Sequence, residues 1–424
     1  MDNQGIAHFS LRARLRRWIA FVLLTSTLAI VAGWAMGGVF TRADTKEYLS
    51  IARGQTRTVI QPFANRQLGP LVVRGASRLL HISIERAFIA EGVLSLLVLS
   101  GITGFLLVRV GVDALTLLGI GGLAFWPILF NGFVLPDVFH AALLSVFLLF
   151  LFQRHCFWAA LMLLPLYAAR ESTILVFACL LIAGWRRMRV RDYLAAVAAL
   201  VAGMSLVKML VAGSQANRER VNALVYLVGK VPWNFSKNVL GLPLWNNRND
   251  NACLPLWQFH LHLGGIQSVG VCAYNSGYQI STLRLLLGMF GLLPLVLIVL
   301  WRRNPRLIWP ENLALRFCVL YGGISFLLAP ALGASVDRLI GFGWPLFILG
   351  VPILALQSLR LSLRSRICLQ TLHLLVAWVA VPDVLYGTFA ARAGLLILEA
   401  AIYAAAWALL KRDATNRASM EVKV

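Results

Sequence analysis

Residues 41–86 read TRADTKEYLSIARGQTRTVIQPFANRQLGPLVVRGASRLLHISIER and stand between two long apolar segments. This stretch is too polar to cross a bilayer, yet it contains two amphipathic pieces, 44–54 and 68–82. In each piece the apolar side chains recur at helical spacing on one side, which is typical of helices that lie flat on a membrane surface. The sequence therefore predicts two interfacial helices joined by the turn Asn-Arg-Gln-Leu-Gly-Pro at 65–70.

Charge is the second feature of this loop. Its acids are Asp44, Glu47 and Glu85, and its eight cations are Arg42, Lys46, Arg53, Arg57, Arg66, Arg74, Arg78 and, at its last position, Arg86. Two interpretations of these charges stay open. The loop is a functional site at the membrane edge, or it is a solvated basic loop that touches lipid headgroups.

Long apolar segments occur throughout the rest of the chain. The sequence is 59% hydrophobic and 13% charged, whereas soluble domains carry about 25% charged residues. Because a membrane helix needs ~20 apolar residues, the sequence predicts an all-α polytopic membrane protein with about 12 spans, in a range of roughly 11–13. The predicted segments are 18–40, 86–108, 113–131, 134–153, 156–169, 171–185, 193–212, 282–301, 313–330, 339–357, 367–382 and 384–409.

The fifth and sixth of these segments are short. Arg170 and Glu171 interrupt what is otherwise one apolar run, and a single helix of that length would overshoot the bilayer. We therefore expect a hairpin of short helices that turns at the membrane edge. Whether 156–185 counts as one span or two stays open.

The net charge of +22 does not indicate nucleic-acid binding, because the cations punctuate apolar segments and form no basic soluble face. Lys and Arg concentrate at 12–17, 186–191, 302–306, 360–366 and 411–412. The positive-inside rule places these ends in the cytoplasm. The sequence thus predicts a multi-pass protein of the bacterial inner membrane, with loop 41–86 facing the periplasm.

This orientation divides the chain into five parts. They are a cytoplasmic tail (1–17), an N-terminal transmembrane module (18–212) that includes loop 41–86, a large outer segment (213–281), a C-terminal transmembrane module (282–410) and a second tail (411–424). The outer segment is rich in Trp and Asn. Such residues suit sugar stacking and hydroxyl hydrogen bonds, and an aromatic belt at the interface explains the tryptophans almost as well.

Two of the six cysteines, Cys253 and Cys272, lie in the outer segment. An oxidising compartment favours a disulfide between them, which would stabilise the segment by about 3 kcal/mol. No second Cys/His pair accompanies them at metal-ligand spacing, so zinc is disfavoured. The other four cysteines lie in apolar segments, where a thiol behaves as a small hydrophobe.

Carboxylates and arginines gather on the predicted outer face. The acids there are Asp44, Asp137, Glu171, Asp337 and Asp383, accompanied by Arg66, Arg170 and Arg338. Charges at the membrane edge are costly and usually functional. In mid-span we identify only Lys208 and Arg392 as ionisable candidates. This distribution favours surface chemistry on a membrane-borne substrate over transport.

Several short motifs resemble those of the GT-C superfamily of membrane glycosyltransferases, which includes protein O-mannosyltransferases and lipid A aminoarabinose transferases. They are Asp44 with Tyr48, Arg66-Gln67-Leu68-Gly69-Pro70, Pro136-Asp137, Ala169-Arg170-Glu171 and Asp337-Arg338. The resemblance covers most of the chain in layout. It implies a GT-C-like fold and an inverting enzyme that takes a sugar from a polyprenyl-phosphate carrier at the outer face.

The same resemblance implies that Asp44 is the general base. Family members often carry a second nearby acid, and here its place is taken by Glu47, one helical turn away. Asp137 is the third catalytic candidate. The substrate-binding candidates are Tyr48, Arg66, Arg170, Glu171, Asp337 and Arg338.

The chemistry agrees independently. One carboxylate removes the acceptor proton, and arginines stabilise the charge that develops on the leaving phosphate. Structural roles for Arg170-Glu171 as an interfacial salt bridge, and for Asp337-Arg338 as a local ion pair, stay open.

The expected partners are a polyprenyl-phosphate-linked sugar, a glycan, lipid or protein acceptor, and membrane lipids. No cofactor is expected, although Asp44, Asp137 and Glu171 could together hold Mg²⁺ or Mn²⁺ through oxygen ligands. Two alternative functions remain at this stage. One is a polysaccharide polymerase or ligase of the cell envelope that uses undecaprenyl-diphosphate glycans, and the other is a lipid-linked-sugar flippase or transporter.

Overall fold

The computed structural model describes residues 11–35, 44–56, 59, 63–122, 135–212, 223–246, 255–263, 266–332, 336–359, 361–386 and 389–421. The chain is about 81% helical, as the all-α prediction requires. Within the described residues, five helices are long and apolar enough to cross a membrane, or six if one bent pair counts as a span. Several long apolar helices thus indicate a membrane-embedded protein, and the count of about 12 spans stays a prediction.

Helices and strands are numbered here in chain order. The helices are α1 (Leu11–Ala35), α2 (Thr45–Ala52), α3 (Leu68–Leu80), α4 (Ile84–Val110), α5 (Ala114–Gly121), α6 (Pro136–Phe152), α7 (Cys156–Leu161), α8 (Leu163–Ala169), α9 (Thr173–Gly184), α10 (Val190–Val211), α11 (Ala223–Asn238), α12 (Ser276–Gly288), α13 (Leu293–Arg303), α14 (Leu313–Leu332), α15 (Val336–Ile340), α16 (Val351–Ser358), α17 (Leu363–Tyr386) and α18 (Phe389–Glu421). The strands are β1 (Leu244–Asn246), β2 (Pro255–Leu263) and β3 (Ile266–Cys272).

Helix α4 shows how local signals set the element boundaries. Its N-terminus is capped by Ser83, whose side chain accepts from the N–H of Arg86, and it ends at Gly111, which takes φ +94°. A glycine suits this left-handed end because it has no Cβ. The 27 residues of α4 extend about 40 Å, enough to cross the hydrocarbon core.

Loop 41–86 forms two helices, α2 and α3, where the sequence predicts them. Tyr48 and Ile51 of α2 are almost fully buried, as is Val73 of α3. They form a small apolar cluster with Phe88 of α4 and Val207 of α10. Burying one such side chain is worth about 1.5–3 kcal/mol in water, so this cluster fixes the loop against the helix bundle.

The predicted interruption at Arg170-Glu171 is also present. Helix α8 ends at Ala169, Arg170 is extended with φ −161° and ψ 132°, and α9 begins at Thr173. Helix α8 packs against α6. The break that follows α8 lies beside the N-terminus of α6, where Arg170 contacts Asp137. Arg170 thereby reaches the first turn of α6.

The segment predicted as one span at 282–301 is not a continuous helix. The chain there forms α12 and α13, which are bent by 69° at the break between them. Gly291 in the break has φ +53°, and the Tyr403 hydroxyl donates to the carbonyls of Leu287 (2.6 Å) and Gly291 (2.8 Å). The Leu292 N–H donates to Nδ1 of His373 at 3.0 Å. These side chains satisfy backbone groups that a straight helix would pair internally.

Segment 213–281 contains a small sheet that the sequence analysis did not predict. Strands β1 and β2 both pair antiparallel with β3, in the order β1-β3-β2. Before the sheet, Asn238 at the end of α11 donates through Nδ2 to the carbonyl of Pro330 in α14 at 2.8 Å. On β2, Trp257 and Phe259 are 71% and 54% exposed, so this strand presents aromatic rings to its surroundings.

The predicted disulfide has one partner in the described part of the chain. Cys272 is disulfide-bonded, Cys156, Cys179, Cys318 and Cys368 are free thiols, and Cys253 lies outside the described residues. We expect non-reducing mass mapping to recover a peptide that links Cys253 to Cys272. Recovery of both as free thiols from the oxidising compartment would contradict the prediction.

Candidate functional site

Charged side chains from five separate parts of the chain meet at one end of the helix bundle. We call this group the ion-pair cluster, and its members are Asp44, Tyr48, Arg66, Asp137, Arg170, Glu171 and Arg338. Three of them are arginines and three are carboxylates, so their formal charges balance.

Arg66 connects loop 41–86 to the break between α8 and α9. Its Nε and Nη2 donate to the two carboxylate oxygens of Glu171 at 2.9 and 2.6 Å, and its Nη1 donates to the Tyr48 hydroxyl at 2.8 Å. Bidentate arginine–carboxylate pairs are strong and geometrically specific. Burial lowers the pKa of Arg66, but Glu171 and then Tyr48 outweigh it and raise that pKa above its usual value.

Asp137 lies at the centre of the ion-pair cluster, between two arginines. Arg170 donates through Nη1 to Asp137 Oδ1, and the Nε of Arg338 lies 2.6 Å from Asp137 Oδ2. The Asp137 side chain is only 2% exposed. Each oxygen of this buried carboxylate thus contacts a guanidinium, so neither is open to an acceptor hydroxyl.

Asp44 is held far less firmly than the other two carboxylates. The one ion pair that Asp44 forms with another described residue is a 3.3 Å contact with Nη1 of Arg338, and its side chain is 36% exposed. Glu171 is exposed to a similar extent, at 32%, but both of its oxygens are bound by Arg66. Asp44 is therefore the carboxylate of the ion-pair cluster that is both accessible and weakly engaged.

Within the ion-pair cluster, Arg338 and Arg170 each carry a buried donor that has no hydrogen-bond partner among the described residues and points to no carboxylate of the cluster. These donors are Nη2 of Arg338 and Nε of Arg170. Burial lowers the pKa of Arg170, and the positive charges of Arg66 and Arg338 lower it further. Unsatisfied buried donors on crowded cations are costly, and an incoming anion would relieve that cost.

The local folds explain why these side chains converge. Asp137 stands in the first turn of α6, directly after Pro136, where proline suits the helix start and an acid suits the helix dipole. Arg66 follows a 3₁₀ turn at Phe63–Asn65, and the Gln67 side chain donates to the Ala64 carbonyl at 2.6 Å. Arg338 lies within the short helix α15.

Of the nine residues predicted for catalysis or substrate binding, the ion-pair cluster unites seven. Glu47 is half-buried in α2, and no ion pair joins it to a cation within the part of the chain that the structure describes. The side chain of Asp337 lies outside the described residues. The structural role considered for Arg170-Glu171, a local salt bridge, is wrong in its pairing, because Arg170 binds Asp137 and Glu171 binds Arg66.

Three neighbours of the ion-pair cluster were missed from the sequence. The Nε2 of His140 lies 3.2 Å from the Thr173 hydroxyl, and the guanidinium of Arg170 lies 4.3 Å from the ring centre of Phe342. His140 stands three residues after Asp137 and so shares its helical face, a signal that was available. Phe342 and Thr173 became relevant only through the tertiary packing.

The proposed metal ligands have other partners. Asp44, Asp137 and Glu171 each contact an arginine, and the described residues contain no group of three or more His, Cys, Asp or Glu side chains that could hold a metal ion. Oxygen ligands of Mg²⁺ would have to leave their guanidinium partners first. The donor set therefore suits a metal poorly.

The expectation of few ionisable groups within the spans needs correction. Glu399, on the candidate span 393–412, lies 3.3 Å from Arg284, and both side chains are at most 1% exposed. Arg284 Nη2 also donates to the Val379 carbonyl at 3.2 Å. The pair joins α12 to α18 and is neutral overall. Because its carboxylate is inaccessible, we interpret it as a structural link between the two helices.

No protein-family model, no curated protein and no solved structure matches this chain. Its function has to be argued from the chemistry of the ion-pair cluster.

Proposed function

We propose that this protein is an inverting glycosyltransferase that moves a sugar from a polyprenyl-phosphate carrier to an acceptor hydroxyl. The observation that carries the proposal is the contrast between Asp44 and its neighbours. Asp44 is 36% exposed and has one 3.3 Å contact, whereas Asp137 is buried between two arginines. The cluster thus combines one available base with an array of cations.

The proposed reaction uses both parts. The acceptor oxygen attacks the anomeric carbon and its proton passes to the Asp44 carboxylate. The bond between the anomeric carbon and the carrier's phosphate oxygen breaks, and the electron pair leaves on the polyprenyl phosphate. That phosphate is a good leaving group, so a second carboxylic acid is unnecessary.

The cations of the ion-pair cluster suit the leaving phosphate. Arg338 Nη2 and Arg170 Nε are buried donors without a hydrogen-bond partner in the described parts of the chain, and hydrogen bonds to an ionised phosphate are about twice as strong as neutral ones. A phosphate that binds Arg338 competes with Asp44 for the same guanidinium. Donor binding would thereby release Asp44 to act as the base.

The wider assignment is part of the same proposal. We infer a GT-C-like architecture with about 12 spans, an inner-membrane location and a cluster that faces the periplasm. Loop 41–86 supplies Asp44 and Arg66, and segment 213–281 takes part in acceptor recognition. The exposed rings of Trp257 and Phe259 support that role, because aromatic faces stack on sugars.

The direct test is transfer by purified protein. We expect mass analysis to find a glycosylated acceptor after incubation with synthetic polyprenyl-phosphate sugars and candidate glycans, lipids or proteins. Parallel reactions with undecaprenyl-diphosphate glycans identify a polymerase or ligase. In sealed liposomes, movement of the lipid-linked sugar without bond cleavage would identify a transporter and contradict the proposal.

Replacing Arg338 tests the phosphate-binding role. We expect Arg338→Ala to weaken donor binding and to lower turnover, each by at least about tenfold, because a charge-assisted hydrogen bond contributes roughly 1.5–3 kcal/mol. The measurements are donor affinity and initial transfer rate. The matched control is Arg53→Ala, which removes an arginine of loop 41–86 whose ion pair with Glu85 is exposed. Equal donor affinities for the two variants would exclude Arg338 from the donor site.

A further inference from the structure

A second concentration of arginines lies at the far end of the helices that hold the ion-pair cluster. A cavity of about 680 Å³ is bordered there by Leu151, Arg187 and Leu313. Leu151 is near the end of α6, which begins beside Asp137, so about 20 Å of helix separates the cavity from the cluster. Arg187 follows α9, and Leu313 begins α14.

The cavity is electropositive. Its charged lining residues are Arg154, Arg187, Arg189, Arg191, Asp192 and Glu311, four arginines against two acids. Helices α10 and α14 both begin at this cavity, and the dipole of each helix adds partial positive charge at its N-terminus. The side chains of Asp192 and Asn312 already accept hydrogen bonds from backbone N–H groups at these helix starts. The donors left for a ligand are therefore mainly those of the arginine side chains.

The arginines are available to a ligand. Arg154, Arg189 and Arg191 are exposed, as is Arg187. The ion pair between Arg191 and Asp192 is long, at 3.5 Å. Arg187 Nη1 donates to the backbone carbonyl of Glu311, which leaves the rest of its fork of donors free to turn toward the cavity.

Apolar side chains next to the cavity indicate that it opens at the membrane boundary. Phe157 and Trp158, which line it, are 38% and 56% exposed. Nearby in the chain, Trp185 is 69% and Val190 is 74% exposed. Exposed aromatic and aliphatic residues beside arginines are typical of the level of the lipid headgroups.

We propose that this cavity binds the headgroup of an anionic phospholipid, with the phosphate held by the arginines and the acyl chains lying against Phe157, Trp158 and Val190. Anionic lipids are attracted to basic clusters at a membrane face, and basic pockets between transmembrane helices bind their headgroups. The cavity volume leaves room for a whole headgroup. This site is independent of the sugar-transfer proposal, because it lies at the opposite end of α6, α9 and α14.

The test is native mass spectrometry of the purified full chain with defined lipids. We expect phosphatidylglycerol to bind more tightly than phosphatidylcholine to the unmodified protein. Arg154→Gln/Arg189→Gln should raise the dissociation constant for phosphatidylglycerol by about tenfold or more, since each charge-assisted contact is worth roughly that factor. The matched control is Arg306→Gln/Arg364→Gln, which removes two exposed arginines outside the cavity and should change it little.

Each other outcome overturns the proposal. Equal affinity for the two lipids would contradict a site specific for anionic lipid. So would an equal loss of phosphatidylglycerol affinity in the cavity variant and in the control. Displacement of phosphatidylglycerol by inorganic phosphate at equal concentration would identify a free-anion site and would exclude the lipid. If the double variant does not fold, Arg189→Gln alone makes the same comparison with Arg364→Gln alone.

Discussion

If Asp44 is the proposed general base, we expect Asp44→Asn to lower the rate of sugar transfer by about 10²–10⁴-fold, the usual contribution of such a base. The amide keeps the size of the carboxylate but cannot accept the proton of the acceptor hydroxyl. Donor affinity should hold or increase, because the substitution removes the anion that competes for Arg338 at 3.3 Å. The measurements are the single-turnover rate with saturating donor and the donor affinity of the same preparation.

Glu47→Gln is the matched control for this prediction. Both acids belong to the start of α2, but only Asp44 has an ion pair within the cluster. We therefore expect Glu47→Gln to retain most of the rate. Near-normal transfer by folded Asp44→Asn protein would contradict the base assignment, and a large loss in Glu47→Gln would move the role to that residue.

The membership of the ion-pair cluster was largely predictable because its residues break a simple rule. Charges are expensive at the membrane edge, so Asp44, Asp137 and Arg338 were conspicuous between apolar segments. Tyr48 was singled out through the GT-C resemblance, and its position four residues after Asp44 puts both on one face of α2. For the charged members of the cluster, residue type and closeness to an apolar segment were enough to identify them as candidates.

The pairing within the cluster was not predictable. Neighbours in sequence, Arg170 and Glu171, turn to different partners because the chain is extended at Arg170. Their partners are 33 and 105 residues away, and the contact between Arg338 and Asp44 spans 294 residues. Periodicity and composition describe local structure, whereas these distances are set by how the helices pack.

The fold shows the same limit at Gly291. Hydropathy predicts a continuous span at 282–301, since the residues on both sides are apolar. The bend depends on hydrogen bonds from Tyr403 and to His373, more than 80 residues further along the chain. The small sheet of segment 213–281 was missed although β2 is nine residues long and alternates apolar and polar residues from Trp257 to Leu263, a pattern typical of a strand.

We expect Arg170→Met to destabilise the fold by about 3–5 kcal/mol, the usual cost of removing one partner from a buried ion pair. The substitution leaves Asp137, whose side chain is 2% exposed, with Arg338 as its remaining cation. It also removes the contact of the guanidinium with the ring of Phe342 at 4.3 Å. The free energy of unfolding in a fixed detergent or bilayer measures the effect.

The matched control for Arg170 is Arg53→Met. Arg53 and Glu85 form an ion pair with side chains 48% and 38% exposed, and exposed pairs contribute roughly 0–1 kcal/mol. The double variant Arg170→Met/Asp137→Asn should be more stable than Arg170→Met, because it no longer buries a poorly paired charge. If Arg170→Met costs no more than Arg53→Met, the cluster is not a buried electrostatic unit. If instead Asp137→Asn brings no recovery, the loss on removing Arg170 comes from packing against Phe342 and not from the charge left on Asp137.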